Sequence, residues 1–224
     1  MTMESLQNET PEINYTKRNI SVFLPGLLEI TDNDPDFPWD SIDQFFKDTW
    51  YEKAAGTVDD SFQVEATFFF VFMGALKGLP VAVGYIDFLN RLFEELADLF
   101  TTDKQKMICS TIKKLLKTPT LQFLNFLGEL ATLNNLLKSK IYELDFVESP
   151  LPNDNSIDFR LKNLNEGHFV LVEVLNIHVD DDRVEADPIA IDKFMSHRLK
   201  NKRREKNEDL VNPNQFWLVP VLWA

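Results

Sequence analysis

The chain of 224 residues carries 36 Asp and Glu against 23 Lys and Arg, a formal net charge of -13. A field of that sign repels phosphate, which argues against a general nucleic-acid coat protein, while 44% hydrophobic and 26% charged residues exclude global disorder. Only 7 Gly occur, less than half the ordinary share of about 7%, so folds built on Gly-rich turns, such as a Rossmann domain or a propeller, are disfavoured.

Residues 1–19 are polar and contain no apolar stretch of the kind a secretory signal needs, so they read as a flexible tail. Residues 20–117 form a helical region: an apolar patch, ISVFLPGLLEI, and an acidic Pro-rich linker, TDNDPDFPWD, lead into helix after helix from about residue 40. Asp40 or Ser41 can cap a helix through Tyr51 with Ile42, Phe45, Phe46 and Trp50 on one face. Asp59-Asp60-Ser61 can open the next, running to about Lys77. Thr67 to Ile86 is nearly long enough to cross a bilayer. Lys77 at its centre, Pro80 and acidic flanks favour two buried helices joined near Gly78-Leu79-Pro80 instead, with no membrane partner. Ile86, Leu89, Leu92, Phe93 and Leu96 then mark one apolar stripe, and Met107, Ile108, Ile112 and Leu115-Leu116 another. Cys109, the single cysteine, lies in the second of these helices. It can form no internal disulfide, reads as a small core residue rather than a nucleophile, and suits a reducing, cytoplasmic setting.

A third unit covers residues 118–224. Thr118-Pro119 begins a long helix with Leu121, Leu124, Leu127, Ala131 and Leu136-Leu137 facing inward. At Tyr142 the period changes to alternation. YELDFVE, SIDFRL and HFVLVEVLNIHV, separated by the turn signals SPLPNDN and KNLNEG, predict a three-stranded meander whose third strand is central. A helix from Pro188 to about Glu205 and a final apolar strand, FWLVPVLW, complete the order α-β-β-β-α-β. The fold class is therefore mixed α/β (α+β) behind an N-terminal all-helical region.

No complete catalytic motif is present, and the chemistry rests on two acids. Asp158 and Glu173 lie on adjacent strands across the turn at Asn163 to Gly167, each between apolar neighbours, IDF and LVEVL. A carboxylate buried in an apolar strand needs a partner. A divalent metal is one candidate; structural ion pairs with Arg198, Arg160 or Lys162 are the other. His178 follows EVLNI and reads as a surface residue more readily than as a third ligand. Glu129, on the helix before the strands, has an ambiguous face.

The element order and the pattern SIDFRL…HFVLVEVLN resemble the core of the PD-(D/E)XK nuclease superfamily, the restriction-endonuclease-like αβββαβ fold, over roughly Thr118 to Trp223. In that superfamily an Asp at the end of one strand and an acid in the next bind magnesium, and a Lys two residues later orients or activates water. The resemblance implies Asp158 and Glu173 as metal-binding and catalytic residues, magnesium as the cofactor, and hydrolysis of nucleic-acid phosphodiesters. The lysine position is Leu175: the chain reads EVLN where an active member commonly reads EVKN. Some members place the basic residue on the following helix. That helix carries seven Lys or Arg and two acids between Asp192 and Lys206, a local balance of +5. Lys193, His197, Lys200 and Arg204 share one face, and Ile191, Phe194, Met195 and Leu199 form the opposite, sheet-facing stripe. Arg198 and Lys202 lie at the stripe's edge, where they can reach Glu173 as the remaining catalytic candidates. Helix 189–206 is thus the candidate contact for nucleic acid. The alternative is an inactive nuclease-fold protein whose helical region binds a partner protein or closes a homodimer.

Overall fold

The computed structural model describes residues 15–55, 67–118, 120, 122–151, 155–178, 188–207 and 215–223. Among them are eight helices and one four-stranded mixed sheet. The helices are α1 (Tyr15–Phe23), α2 (Pro25–Thr31), α3 (Trp39–Ala55), α4 (Phe68–Leu76), α5 (Pro80–Leu99), α6 (Thr102–Lys117), α7 (Phe123–Lys138) and α8 (Pro188–Asn207). The strands are β1 (Tyr142–Pro150), β2 (Ser156–Asn163), β3 (Phe169–His178) and β4 (Phe216–Trp223).

Helix ends follow local chemistry. Thr67 caps α4 by accepting from the Phe70 N–H at 3.4 Å, and Pro80 stands in the first turn of α5, where its missing N–H costs nothing. The pair α4 and α5 is bent by 113° at the break, and no single described helix is long and apolar enough to cross a membrane. Three boundaries differ from the sequence expectation. The stretch assigned to a flexible tail is already helical at Tyr15, because Thr16 is buried and bonds Asp43 Oδ1 through both its N–H (3.1 Å) and its hydroxyl (2.5 Å). The helix expected from Thr118-Pro119 begins at Phe123, since Thr118 instead closes α6, donating its N–H to the Lys114 carbonyl. The helix expected from Asp59 begins at Phe68; Asp59 to Ser61, Leu121 and the Trp50 side chain lie outside the described residues.

One apolar core runs from Ile20 through the helices to Leu144, Phe159, Leu161, Val170, Val172 and Val174 of the sheet. The helical region and the strands are therefore not separate cores. Phe68, Phe93, Phe123 and Phe159 are fully buried, each stabilising the fold by roughly 1.5–3 kcal/mol. Cys109 is buried in this core, and burial pushes its thiol up to about 12, which removes it as a nucleophile.

The sheet order is β1-β2-β3-β4, with β1, β2 and β3 antiparallel in turn and β4 parallel to β3. A parallel return strand needs a crossover, and α8 lies between β3 and β4 in the chain, packing on both. β4 pairs with β3 alone, so its Pro220 sits on an edge strand, where a proline is tolerated. Because strand side chains alternate, Val170, Val172, Val174 and Asn176 face α7, while Leu171, Glu173 and Leu175 face the side occupied by α8.

Gly128 brings α7 against β3. A Cβ there would stand 2.1 Å from Asn176 Oδ1 and 3.3 Å from the Trp223 ring. Asn176 cannot move aside without loss, since its Nδ2 donates to the Asn125 carbonyl at 3.2 Å and its Oδ1 accepts from Trp223 Nε1 at 2.9 Å. Gly128→Ala is expected to cost about 1–3 kcal/mol of stability by overpacking, measured by urea unfolding. An unchanged midpoint would mean that the α7–β3 approach is looser than this geometry.

Candidate functional site

The β2–β3 hairpin is built by Asn163, whose Oδ1 accepts from the N–H groups of Asn165 (2.9 Å) and Glu166 (3.1 Å). Gly167 completes the turn at φ +72°, a conformation glycine adopts without Cβ strain. From this turn the two strands pair as far as Phe159↔Val172. Beyond that point β2 stays with β1, through Ile157 and Ser156, and β3 stays with β4 through His178. The sheet thus forks, and Asp158 and Glu173 are the first residues past the fork on its two prongs.

Each acid is held by a different device. Asp158 Oδ2 accepts the Val174 N–H at 2.7 Å, taking a backbone donor on the opposite prong of the fork. Glu173, 3% exposed, meets two lysines of α8: Lys202 Nζ is 2.7 Å and Lys206 Nζ 3.3 Å from its Oε1. Lys206 also donates to the Ser156 carbonyl at 2.5 Å, so one ammonium group spans both prongs. Lys202 and Lys206 are one helical turn apart and share a face of α8. Glu173 Oε2 is buried and accepts no hydrogen bond among the described residues.

Glu129 of α7 joins this cluster. Burial pushes its carboxyl up to about 8, reinforced by the charge of Asp158 and less by Glu148 and Glu173, while Lys114 opposes the shift. Asp158 is pushed up to about 7, first by burial and then by Glu173. The Val174 N–H, Lys202 and Lys206 pull the other way. Lys114 itself pairs with Glu148, which holds a left-handed φ of 51° within β1. Four carboxyl groups, Glu148, Glu129, Asp158 and Glu173, are therefore flanked by Lys114 of α6 on one side and by Lys202 and Lys206 of α8 on the other.

The sequence-derived candidates divide clearly. Asp158, Glu173 and Lys202 come together. Arg198 does not: it is exposed, and the second cation on Glu173 is Lys206. Arg160 pairs with Asp145, His178 is exposed with its Nε2 3.0 Å from Asn125 Oδ1, and Leu175 is buried at the motif lysine position. Lys206 is the residue sequence reasoning missed, and Glu129 the one whose face it left ambiguous. Glu129 had a signal, being the only acid in α7; Lys206 had none that separated it from the other bases of α8.

Among the described residues no group of three or more His, Cys, Asp and Glu side chains converges as a ready ligand set for a metal. The donors at the fork are nevertheless hard carboxylate oxygens of the type Mg²⁺ or Mn²⁺ takes. Glu173 Oε2, buried without a donor, is the atom such an ion would satisfy, with Asp158 across the fork and Glu129 beside them. No protein-family model, no curated protein and no solved structure matches this chain at a significant level.

Proposed function

We propose that the chain is a divergent nuclease of the PD-(D/E)XK type, hydrolysing nucleic-acid phosphodiesters with a divalent metal, its basic residue supplied by α8 instead of the strand. The observation that carries this reading is the fork, with Asp158 and Glu173 as the first residues past it on its two prongs and Lys202 on Glu173. The element order α7-β1-β2-β3-α8-β4 is also the one the resemblance implies. Asp158 and Glu173 would hold magnesium or manganese. Such an ion, when bound, neutralises phosphate charge and lowers the pKa of water. Lys202, freed from Glu173, steadies the negative charge that builds on the phosphate oxygens as water attacks phosphorus and the ester bond breaks. The exposed bases Lys193, His197, Lys200 and Arg204 give α8 a positive outer face for the backbone despite the net charge of -13.

A second reading is supported by the same lysines. With Leu175 at the motif position and two ammonium groups already on Glu173, the cluster can be a structural ion pair in an inactive nuclease-fold protein. Melting temperature separates the two. On the nuclease reading, millimolar Mg²⁺ or Mn²⁺ raises the Tm by several degrees and supports cleavage of a labelled oligonucleotide, and Asp158→Ala and Glu173→Ala each abolish both effects. If neither metal moves the wild-type Tm and Asp158→Ala is more stable than wild type, the ion-pair reading replaces it.

A further inference from the structure

On the α8 side of the sheet, away from the helix itself, the described residues leave in solvent an apolar surface that carries an arginine and a lysine. Arg160 of β2 lies opposite Phe146 of β1 and Leu171 of β3. Its guanidinium carbon is 5.5 Å from the Phe146 ring centroid and 5.3 Å from that of Phe169, so the cation is clasped by two rings. Asp145, at the register shift between Leu144 and Phe146, pairs with Arg160 and orients it. Phe146 is 42% and Phe169 41% exposed, whereas Phe68, Phe93, Phe123 and Phe159 are fully buried in the core. Two rings left half in water on either side of an arginine form a platform rather than a packing remnant. Asp158, Arg160 and Lys162 follow one another on this face of β2 in steps of about 6.8 Å, a spacing comparable to that of phosphates along an extended single strand.

We infer that this face is a stacking platform for single-stranded nucleic acid: bases lie on Phe146 and Phe169, Arg160 and Lys162 meet the backbone, and the strand runs on past Asp158 into the fork. The inference rests on the nuclease reading for what lies at the fork, but the platform is an independent binding surface. Ring faces accept any base, so affinity depends on stacking and carries little sequence preference. A duplex, whose bases are already stacked, gains nothing from the rings. The acidic remainder of the chain makes the binding weak, and with only Arg160 and Lys162 on the backbone its salt dependence is shallow.

Fluorescence anisotropy of a labelled oligothymidylate of about 15 nucleotides, and of a duplex of equal length, tests this with the full chain in EDTA at low salt. The expected result is a preference for the single strand, with Phe146→Ala/Phe169→Ala raising its Kd by about tenfold or more. The corresponding Tyr pair should stay within about threefold of wild type, since the rings remain, whereas the Leu pair should fail like Ala. Leu or Ala pairs that bind as wild type does overturn the platform, as does a preference for duplex. Failure to bind either nucleic acid also overturns it; if the chain then self-associates through the same two rings, the face is a contact between copies. Asp158→Ala separates the two readings: it loses cleavage but keeps single-strand binding. Single-strand binding with no cleavage by the wild type leaves the platform standing and removes the nuclease.

Discussion

Replacing both lysines on Glu173 with Met, as Lys202→Met/Lys206→Met, is expected to lower the free energy of unfolding at pH 7 by about 3–5 kcal/mol. Glu173 is 3% exposed, and the Lys206 and Lys202 side chains are 12% and 28% exposed, so little solvent is present to replace the lost partners. Met keeps most of the aliphatic volume, which confines the change to charge. The cost is that of a carboxylate stranded in an apolar sheet, not the intrinsic worth of two ion pairs. Adding Glu173→Gln to the double variant should therefore recover most of the loss, a coupling that urea unfolding of all four members of the cycle measures. Additive losses would show that the lysines stabilise the chain by some route other than Glu173. Lys202→Met alone costs less, because Lys206 remains 3.3 Å away. The double variant should also respond more strongly to Mg²⁺ than the wild type, since the ion no longer competes with two ammonium groups for Glu173 Oε1.

Stability should fall as the pH rises from about 5 to about 8. Asp158 moves from 3.8 in the unfolded chain to about 7 in the folded one, and Glu129 from 4.5 to about 8. Between the lower and upper values the folded chain holds more protons than the unfolded chain. The stabilisation is fully present below about pH 4 and is lost as the pH rises through the folded-state values. Each group contributes a slope of up to about 1.4 kcal/mol per pH unit within its window. Asp43 and Glu95 act in the opposite sense. Burial works against Asp43, but hydrogen bonds from Lys47 and Thr16 hold it below the usual range; Lys138 and Asn134 do the same for Glu95. Their stabilisation is lost only in acid, below the window in which Asp158 and Glu129 titrate. Thermal melts from pH 5 to 8.5 should show the decline, Asp158→Asn should flatten it, and saturating Mg²⁺ should suppress it by favouring the charged carboxylates. A flat profile for the wild type would place both acids in water and undo the site as drawn.

Much of the fold was legible because its signals are local. The switch from helical spacing to alternation at Tyr142 marks the start of the sheet to the residue, and Gly78-Leu79-Pro80 broke the apolar stretch into α4 and α5. At the N-terminus the difference arose where a distant partner intervenes. Thr16 is ordered by Asp43, 27 residues away, and nothing in the polar N-terminal segment announces that bond. At the site, Asp158 and Glu173 were readable because the Asn163–Gly167 turn sets their strands in register. Arg198 and Lys202 were indistinguishable on a helical wheel; the seating of α8 on β3 and β4 turns Lys202 and Lys206 to Glu173 and leaves Arg198 in solvent.

The chain's own periodicity, turn residues and isolated acids determined a helical region followed by α-β-β-β-α-β, with two carboxylates on neighbouring strands that needed a partner. Only the tertiary structure decided that the sheet forks at those carboxylates, that Glu129 arrives from α7 to share their charge, and that Phe146 and Phe169 close on Arg160 across three strands. The reason is range. Pattern and turn chemistry act over a few residues, whereas strand divergence, helix rotation and the desolvation that shifts a carboxyl are set by elements tens of residues apart packing on one another.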